Sequence, residues 1–154
     1  MLPGQIRALV ICVFSYQGMI LAAESLDPLK KEIFYRPVGG GIHFGEYSQE
    51  ALVREVREEF GAEIRQVRYL GVLENVFTYD GQPGHEIVQV YDAQFVDRSL
   101  YEQPWLVGYE DSGLIFKATW KPLVEFQSSP EPLYPSGLLK LLQQQGYLPA
   151  PGPG

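Results

Sequence analysis

Gly40-Gly-Ile-His-Phe-Gly-Glu46-Tyr-Ser-Gln-Glu-Ala-Leu-Val-Arg54-Glu55-Val56-Arg-Glu58-Glu59-Phe-Gly61-Ala62 joins a glycine-rich turn to an acid-rich helix. Ser48 fits the N-cap. Leu52, Val53, Val56 and Phe60 recur at helical spacing over 49–60, and Gly61 is the residue type that ends a helix in left-handed backbone. At 100° per residue, Glu55, Glu58 and Glu59 share one face within about 100° of arc, centred roughly 120° from the apolar residues. Like charges at i,i+4 destabilise an isolated helix by a few tenths of a kcal/mol. Arg54 and Arg57 on a solvated face would offset that repulsion, and so would a divalent cation held by the carboxylates beside the glycines.

Strand patterns lie on both sides of this stretch. Upstream, apolar runs at about 5–15 and 19–23 flank Tyr16-Gln17-Gly18, which reads as a hairpin. Residues 32–38 read as a strand that runs into Gly39-Gly40-Gly41, where three residues without Cβ let the backbone come close to a ligand. Downstream, 63–78 and 87–96 read as a hairpin punctuated by Tyr79-Asp-Gly-Gln-Pro-Gly84. Residues 97–112 then read as a loop, 113–120 as a strand, 122–126 as a short helix or turn, 128–132 as a linker and 137–145 as a helix. The chain reads as a single domain over 1–148 with a flexible Pro/Gly tail at 149–154.

Composition narrows the function classes. A length of 154 residues with 45% hydrophobic and 20% charged residues suits one globular domain. Twelve Lys+Arg against 19 Asp+Glu, a formal charge of −7, disfavours nucleic-acid polymers and membrane surfaces as partners. No apolar run approaches the roughly 20 residues that span a bilayer. Cys12, the single cysteine, sits inside the apolar run Ala8-Leu-Val-Ile-Cys-Val-Phe14 and reads as a buried thiol, which fits a reducing, cytoplasmic location.

The spacing in the quoted stretch is specific. Gly40, Glu46, Arg54, Glu55, Glu58, Glu59 and Gly61 stand at the offsets of the Nudix box, and the stretch resembles that signature of hydrolases acting on nucleoside diphosphates linked to another moiety. From the chain's own residue frequencies, such a match arises by chance with a probability of roughly 4 × 10⁻⁶ over the chain. Ala62 stands where the family usually has a larger aliphatic residue. The order of strands, loop, helix, hairpin and final helix is also similar to a Nudix domain.

The resemblance implies an α/β fold, a Nudix-type α/β/α sandwich with a mixed β-sheet and a catalytic loop-helix-loop. It implies a Mg²⁺ (or Mn²⁺) cofactor held by Glu55, Glu58, Glu59 and the Gly40 carbonyl. Glu46 and Arg54 would pair to fix the loop, and Arg57 would be a surface residue. The implied activity is hydrolysis of a pyrophosphate linkage in a small nucleoside diphosphate derivative, by water attack at phosphorus. Oxidised nucleoside triphosphates, nucleotide sugars, diadenosine polyphosphates and ADP-ribose all qualify, and the fold is compatible with a homodimer. An inactive nucleotide-sensing module and an isomerase of a diphosphate compound are the competing classes.

Candidate site residues follow from this chemistry. Clustered carboxylates hold the cation, and one must accept a proton from water, with Glu58 and Glu59 the leading candidates. Glu86, next to His85, is a further candidate for the metal or base role, and Glu110 and Asp111 are weaker ones. Arg36 is positioned to hold a phosphate by bidentate hydrogen bonds. Tyr79 leads the aromatic candidates for stacking on the organic half, ahead of Tyr35, Phe77, Tyr91 and Trp105.

Overall fold

The computed structural model describes residues 4–148. Eight strands form one mixed sheet: β1 (Arg7–Val13), β2 (Ser15–Tyr16), β3 (Met19–Asp27), β4 (Glu32–Gly41), β5 (Ile64–Tyr79), β6 (Gln82–Phe95), β7 (Trp105–Tyr109) and β8 (Ile115–Pro122). The order across the sheet is β5-β6-β1-β4-β3-β8-β7, with β2 paired to β3. β1 and β6 run parallel, and the other neighbouring pairs are antiparallel. Helix α1 (Ser48–Phe60) and helix α2 (Leu138–Gln144) each pack into a separate apolar core. The fold is the α/β sandwich that the sequence implies.

The central position of β1 explains its unbroken apolar run. Leu9, Ile11 and Val13 enter the core shared with Leu138 and Leu142 of α2, while Val10, Cys12 and Phe14 enter the core shared with Leu52 and Val56 of α1. A strand covered on both faces has no position left for alternating polar residues. Cys12 is buried there, and burial pushes its thiol well up from its ordinary value.

Several boundaries differ from the sequence reading. The turn at Gln17-Gly18 is present, but it joins β3 to the two-residue β2. β1 itself pairs with β4 and β6, partners that its own residues do not encode. Gly39, Gly40 and Gly41 are strand residues of β4, opposite Ile11, Val10 and Leu9. The β5–β6 hairpin turns in two residues, Asp80 and Gly81, both at positive φ as a tight primed turn demands. Gln82-Pro83-Gly84 consequently belongs to β6, with Gly84 leaving room for the Phe77 ring.

The stretch 97–112 is mostly ordered structure rather than loop, a 3₁₀ turn at Arg98–Glu102 followed by β7. The expected short helix at 122–126 is a 3₁₀ turn over Leu123–Gln127. Residues 128–132 are more than a linker. The Pro132 carbonyl accepts from Tyr35 N–H at 2.9 Å, Tyr134 N–H donates to Tyr35 O at 2.8 Å, and Leu133 bridges to Tyr35. The tail at 149–154 lies outside the described residues.

Two turns are tied together across the sheet edge. Asp27 Oδ1 accepts from the backbone N–H of Leu29 and Lys30 in its own turn and from Asp80 at the hairpin tip. Lys30 Nζ donates to Thr78 O at 2.9 Å.

Candidate active site

α1 starts one residue earlier than expected. Tyr47 is its N-cap, Glu50 Oε1 accepts from Tyr47 N–H at 3.0 Å, and the Ser48 hydroxyl is taken up by Tyr91 Oη at 2.6 Å. Gly61 closes the helix in left-handed backbone, its N–H donating to Arg57 O at 2.8 Å. The three carboxylates then separate by environment. Glu55 and Glu59 are 5% and 7% exposed, whereas the Glu58 side chain is 44% exposed and lies 3.2 Å from Arg54. The i,i+4 pair is packed inward beside the apolar residues, and the i+3 acid is drawn to the guanidinium.

Burial makes the inner pair electrostatically unusual. Glu59 is pushed well above the ordinary carboxylate range, first by burial, then by its hydrogen bond and repulsion with Glu55, and then by Asp111 and Glu110. Two adjacent buried carboxylates favour retention of a proton. Glu46 moves the opposite way, held down to about 2 by its hydrogen bonds from Arg54 and the His43 N–H.

The signs oppose. Glu59 binds its proton more tightly in the folded chain, so its contribution to stability is full below the ordinary carboxylate range and is lost as pH rises through the raised value. The contribution of Glu46 is full above the ordinary range and is lost as pH falls toward its depressed value. The metal-free thermal midpoint is therefore expected to decline from about pH 5 upward as well as in acid. A midpoint that climbs steadily above pH 5 would contradict the protonated pair.

Arg54 organises the remainder. Its Nε and Nη2 donate to the two oxygens of Glu46 at 2.7 and 2.9 Å, Nη2 also donates to Gly41 O at 2.9 Å, and Nη1 donates to Glu55 at 3.0 Å. One side chain thereby ties the end of β4, the following loop and α1 together, and Glu46 and Arg54 do pair as the resemblance implies. Arg57 forms a surface ion pair with Glu63 at 2.7 Å.

Gly40 is where β4 touches the acid pair. A Cβ built there would lie 2.5 Å from Glu55 Oε2 and 2.6 Å from its Oε1, so only glycine lets this carboxylate lie against the strand. Glu55 and Glu59 line a cavity of about 710 Å³ together with Gly39, Gly40, Glu110 and Asp111. Among the described residues, no three His, Cys, Asp or Glu side chains converge to hold an ion as they stand, because Glu58 is turned to Arg54. The donor set nevertheless fits a hard divalent cation. It has two buried carboxylates in contact, a third acid on the same helix and a glycine cradle, and a cation relieves the repulsion that otherwise needs a proton.

A second cavity of about 660 Å³ adjoins the first and shares Arg7, Ser25 and Arg36 with it. Its wall includes Phe34, Tyr79 and Tyr134, with Phe34 edge-on to Tyr79 at 6.3 Å and tilted against Tyr134 at 5.2 Å. Arg36 and Tyr79 both line it. So does Glu86, inside β6 rather than ahead of it, and 3% exposed. Glu86 faces neither the acid pair nor solvent, its Oε1 accepting from Arg36 and Asn75 at 3.3 Å each.

Other candidates fall elsewhere. His85 is half-buried with an unpartnered Nε2. Tyr35 and Tyr91 are core residues, and Trp105 lies exposed under Lys117 Nζ at 4.2 Å. The sequence reading missed Arg7, Asn75 and Tyr134. Arg7 reaches the seam through the parallel β1–β6 register and Tyr134 through the bridge to Tyr35, pairings between distant segments that leave no local signal.

Comparison with known proteins agrees with this fold. The NUDIX domain family matches residues 4–142. A MutT NUDIX hydrolase from Burkholderia pseudomallei superposes with a TM-score of 0.63 at 21% identity, over 90% of this chain and 98% of the other. A NUDIX hydrolase from Nitrosomonas europaea gives 0.63 at 19% identity, over 92% and 88%. The E. coli ORF135 protein gives 0.57 at 22% identity, over 96% of each.

Proposed function

The chain belongs to the NUDIX domain family, whose members generally hydrolyse pyrophosphate linkages, and from that premise we propose a metal-dependent hydrolase of a soluble nucleoside diphosphate derivative. The observation that carries this reading is the buried Glu55–Glu59 pair against Gly40. Glu55, Glu58, Glu59 and the Gly40 carbonyl would hold Mg²⁺ or Mn²⁺. When bound, the cation supplies positive charge against the phosphate oxygens and makes an attacking water more acidic.

The chain's own groups do the rest. Glu58 or Glu59 accepts the proton of the attacking water, whose oxygen forms the new bond to phosphorus as the bridging oxygen leaves with its electron pair. Glu110 and Asp111 repel a phosphate that arrives without its cation. Arg36 offers two parallel N–H donors to a phosphate at the seam of the cavities, and Tyr79 presents an aromatic surface to the organic half.

Nucleotide derivatives screened with Mg²⁺ or Mn²⁺, scored by phosphate released with and without added phosphatase, test this directly. At least one is expected to be cleaved, and excess EDTA to abolish the cleavage. Full activity in EDTA would sink the proposal. Because a cation must displace the proton of the acid pair, its apparent affinity is expected to rise with pH. Calorimetric titrations in buffers of different ionisation enthalpy would reveal the released proton.

A further inference from the structure

Arg7 and Arg36 line both cavities, and between them lies a buried polar relay that the hydrolytic step does not use. Asn75 Nδ2 donates to Glu86 Oε1 at 3.3 Å, and Arg36 Nη2 donates to the same oxygen at 3.3 Å. In the sheet, Glu86 is registered beside Arg7 on β1 and opposite Asn75 on β5. Among the described residues Arg7 forms no ion pair. A Cβ added at Gly41 would stand 3.3 Å from its Nη2, so this guanidinium lies along the end of β4.

The charges do not cancel. The charged residues common to the two cavities are both guanidiniums, and the one carboxylate in contact with them, Glu86, offsets only Arg36, in a chain of formal charge −7. A diphosphate brings two anionic groups, of which the one undergoing attack must lie at the acid pair. The other extends away from it, and a pair of forked guanidiniums is the donor set that planar bidentate recognition of phosphate requires. A flexible Arg36 would lose rotamer entropy on each binding event, whereas a buried carboxylate that is itself held by an amide keeps the fork aimed beforehand.

We infer that Arg7 and Arg36 grip the phosphate remote from the acid pair, and that Glu86 and Asn75 are positioning residues that hold Arg36 at the seam. The inference rests on the hydrolase reading above, because it takes the substrate to be a diphosphate. It assigns Glu86 a charge committed to Arg36, so that Glu86 accepts no proton from the attacking water. Arg7 becomes a binding residue on the opening strand of the chain, far in sequence from the Nudix box.

Inorganic pyrophosphate, titrated calorimetrically into the metal-free chain, reads the grip without any hydrolysis. Arg7→Ala and Arg36→Ala are each expected to weaken binding by at least about tenfold. Glu86→Ala should weaken it about as much as Arg36→Ala does, with the double variant no weaker than either single one. Glu86→Gln keeps the accepting oxygen and should stay within about threefold. Additive losses, or pyrophosphate binding that is unchanged or tighter in Glu86→Ala, would overturn the positioning role.

If Glu86→Ala does not fold, Asn75→Ala asks the same question. It should weaken pyrophosphate binding when Arg36 is present and have no effect in the Arg36→Ala background. Kinetics on a nucleotide derivative that the Mg²⁺-loaded chain cleaves give a second readout. Arg36→Ala should raise KM more than it lowers kcat, and Glu86→Gln should leave kcat within about threefold. A tenfold or greater fall in kcat for Glu86→Gln would make Glu86 the proton acceptor instead. A chain that binds pyrophosphate through these residues yet cleaves no nucleotide derivative would keep this inference and overturn the proposed function. An active hydrolase indifferent to Arg7 and Arg36 would do the reverse.

Discussion

Glu59→Gln is expected to lower kcat by roughly 10²–10⁴, the scale on which general-base and electrostatic groups act. Gln keeps the volume of the side chain and its hydrogen-bonding oxygen, so the packing of α1 beside Val56 is retained. What disappears is the charge that a cation would neutralise. Two further readouts separate this account from simple damage to the fold. The metal-free thermal midpoint should hold or rise, because the repulsion between Glu55 and Glu59 is gone. The extra stabilisation given to the wild-type chain by Mg²⁺ should shrink or vanish. Wild-type turnover in this variant would return Glu59 to the role of a buried acid without chemistry.

Gly40→Ala is expected to lower kcat/KM by at least about 10², although it adds only one methyl group. That methyl would stand 2.5 Å from Glu55 Oε2. Real Cβ contacts are not this short, so Glu55 has to swing away from β4 or the strand has to shift from its pairing with Val10. Either movement separates Glu55 from Glu59. Circular dichroism and the thermal midpoint would establish that the variant is folded, and calorimetry with Mn²⁺ would measure the loss at the cation site. Retention of wild-type Mn²⁺ affinity by folded Gly40→Ala would show that the carboxylate's position against the strand is immaterial.

Much of this site was legible because its parts are close in sequence. The helix over 49–60, its stop at Gly61 and the acids at i, i+3 and i+4 depend on spacing within thirteen residues. The hairpin itself was legible in the same way from its punctuation at 79–84, whereas its two-residue turn at Asp80-Gly81 was not. Periodicity did not separate Glu58 from Glu55 and Glu59, because all three lie within one arc. Arg54 Nη1 donates to both Glu55 and Glu58, and the two differ because Glu55 lies against Gly40 of β4 while Glu58 stands toward solvent. Nor did the sequence reveal that Glu86 faces Asn75 and Arg36. That follows from the β5–β6 register and from β1 running between β6 and β4, and strand order is a long-range property with no local code. The reading of 97–112 as a loop failed because β7 is only five residues long, follows a 3₁₀ turn after two residues and is interrupted by Gly108, so its apolar residues form too short a run to announce a strand.

β4 carries both Arg36 and Gly40, and at about 3.3 Å per residue their Cα atoms are roughly 13 Å apart along the strand. An even offset of four keeps them on one face. On the proposed reading the strand acts as a ruler, its residue count setting how far the Arg36 guanidinium stands from the acid pair beside Gly40. Deleting one residue between them would shorten that separation by one step and also send Arg36 to the opposite face, with the β3 pairing upstream forced to slip. Changes in substrate length among related sequences should accordingly be absorbed by side chains at the seam and by the walls of the aromatic cavity, while the spacing from 36 to 40 stays constant.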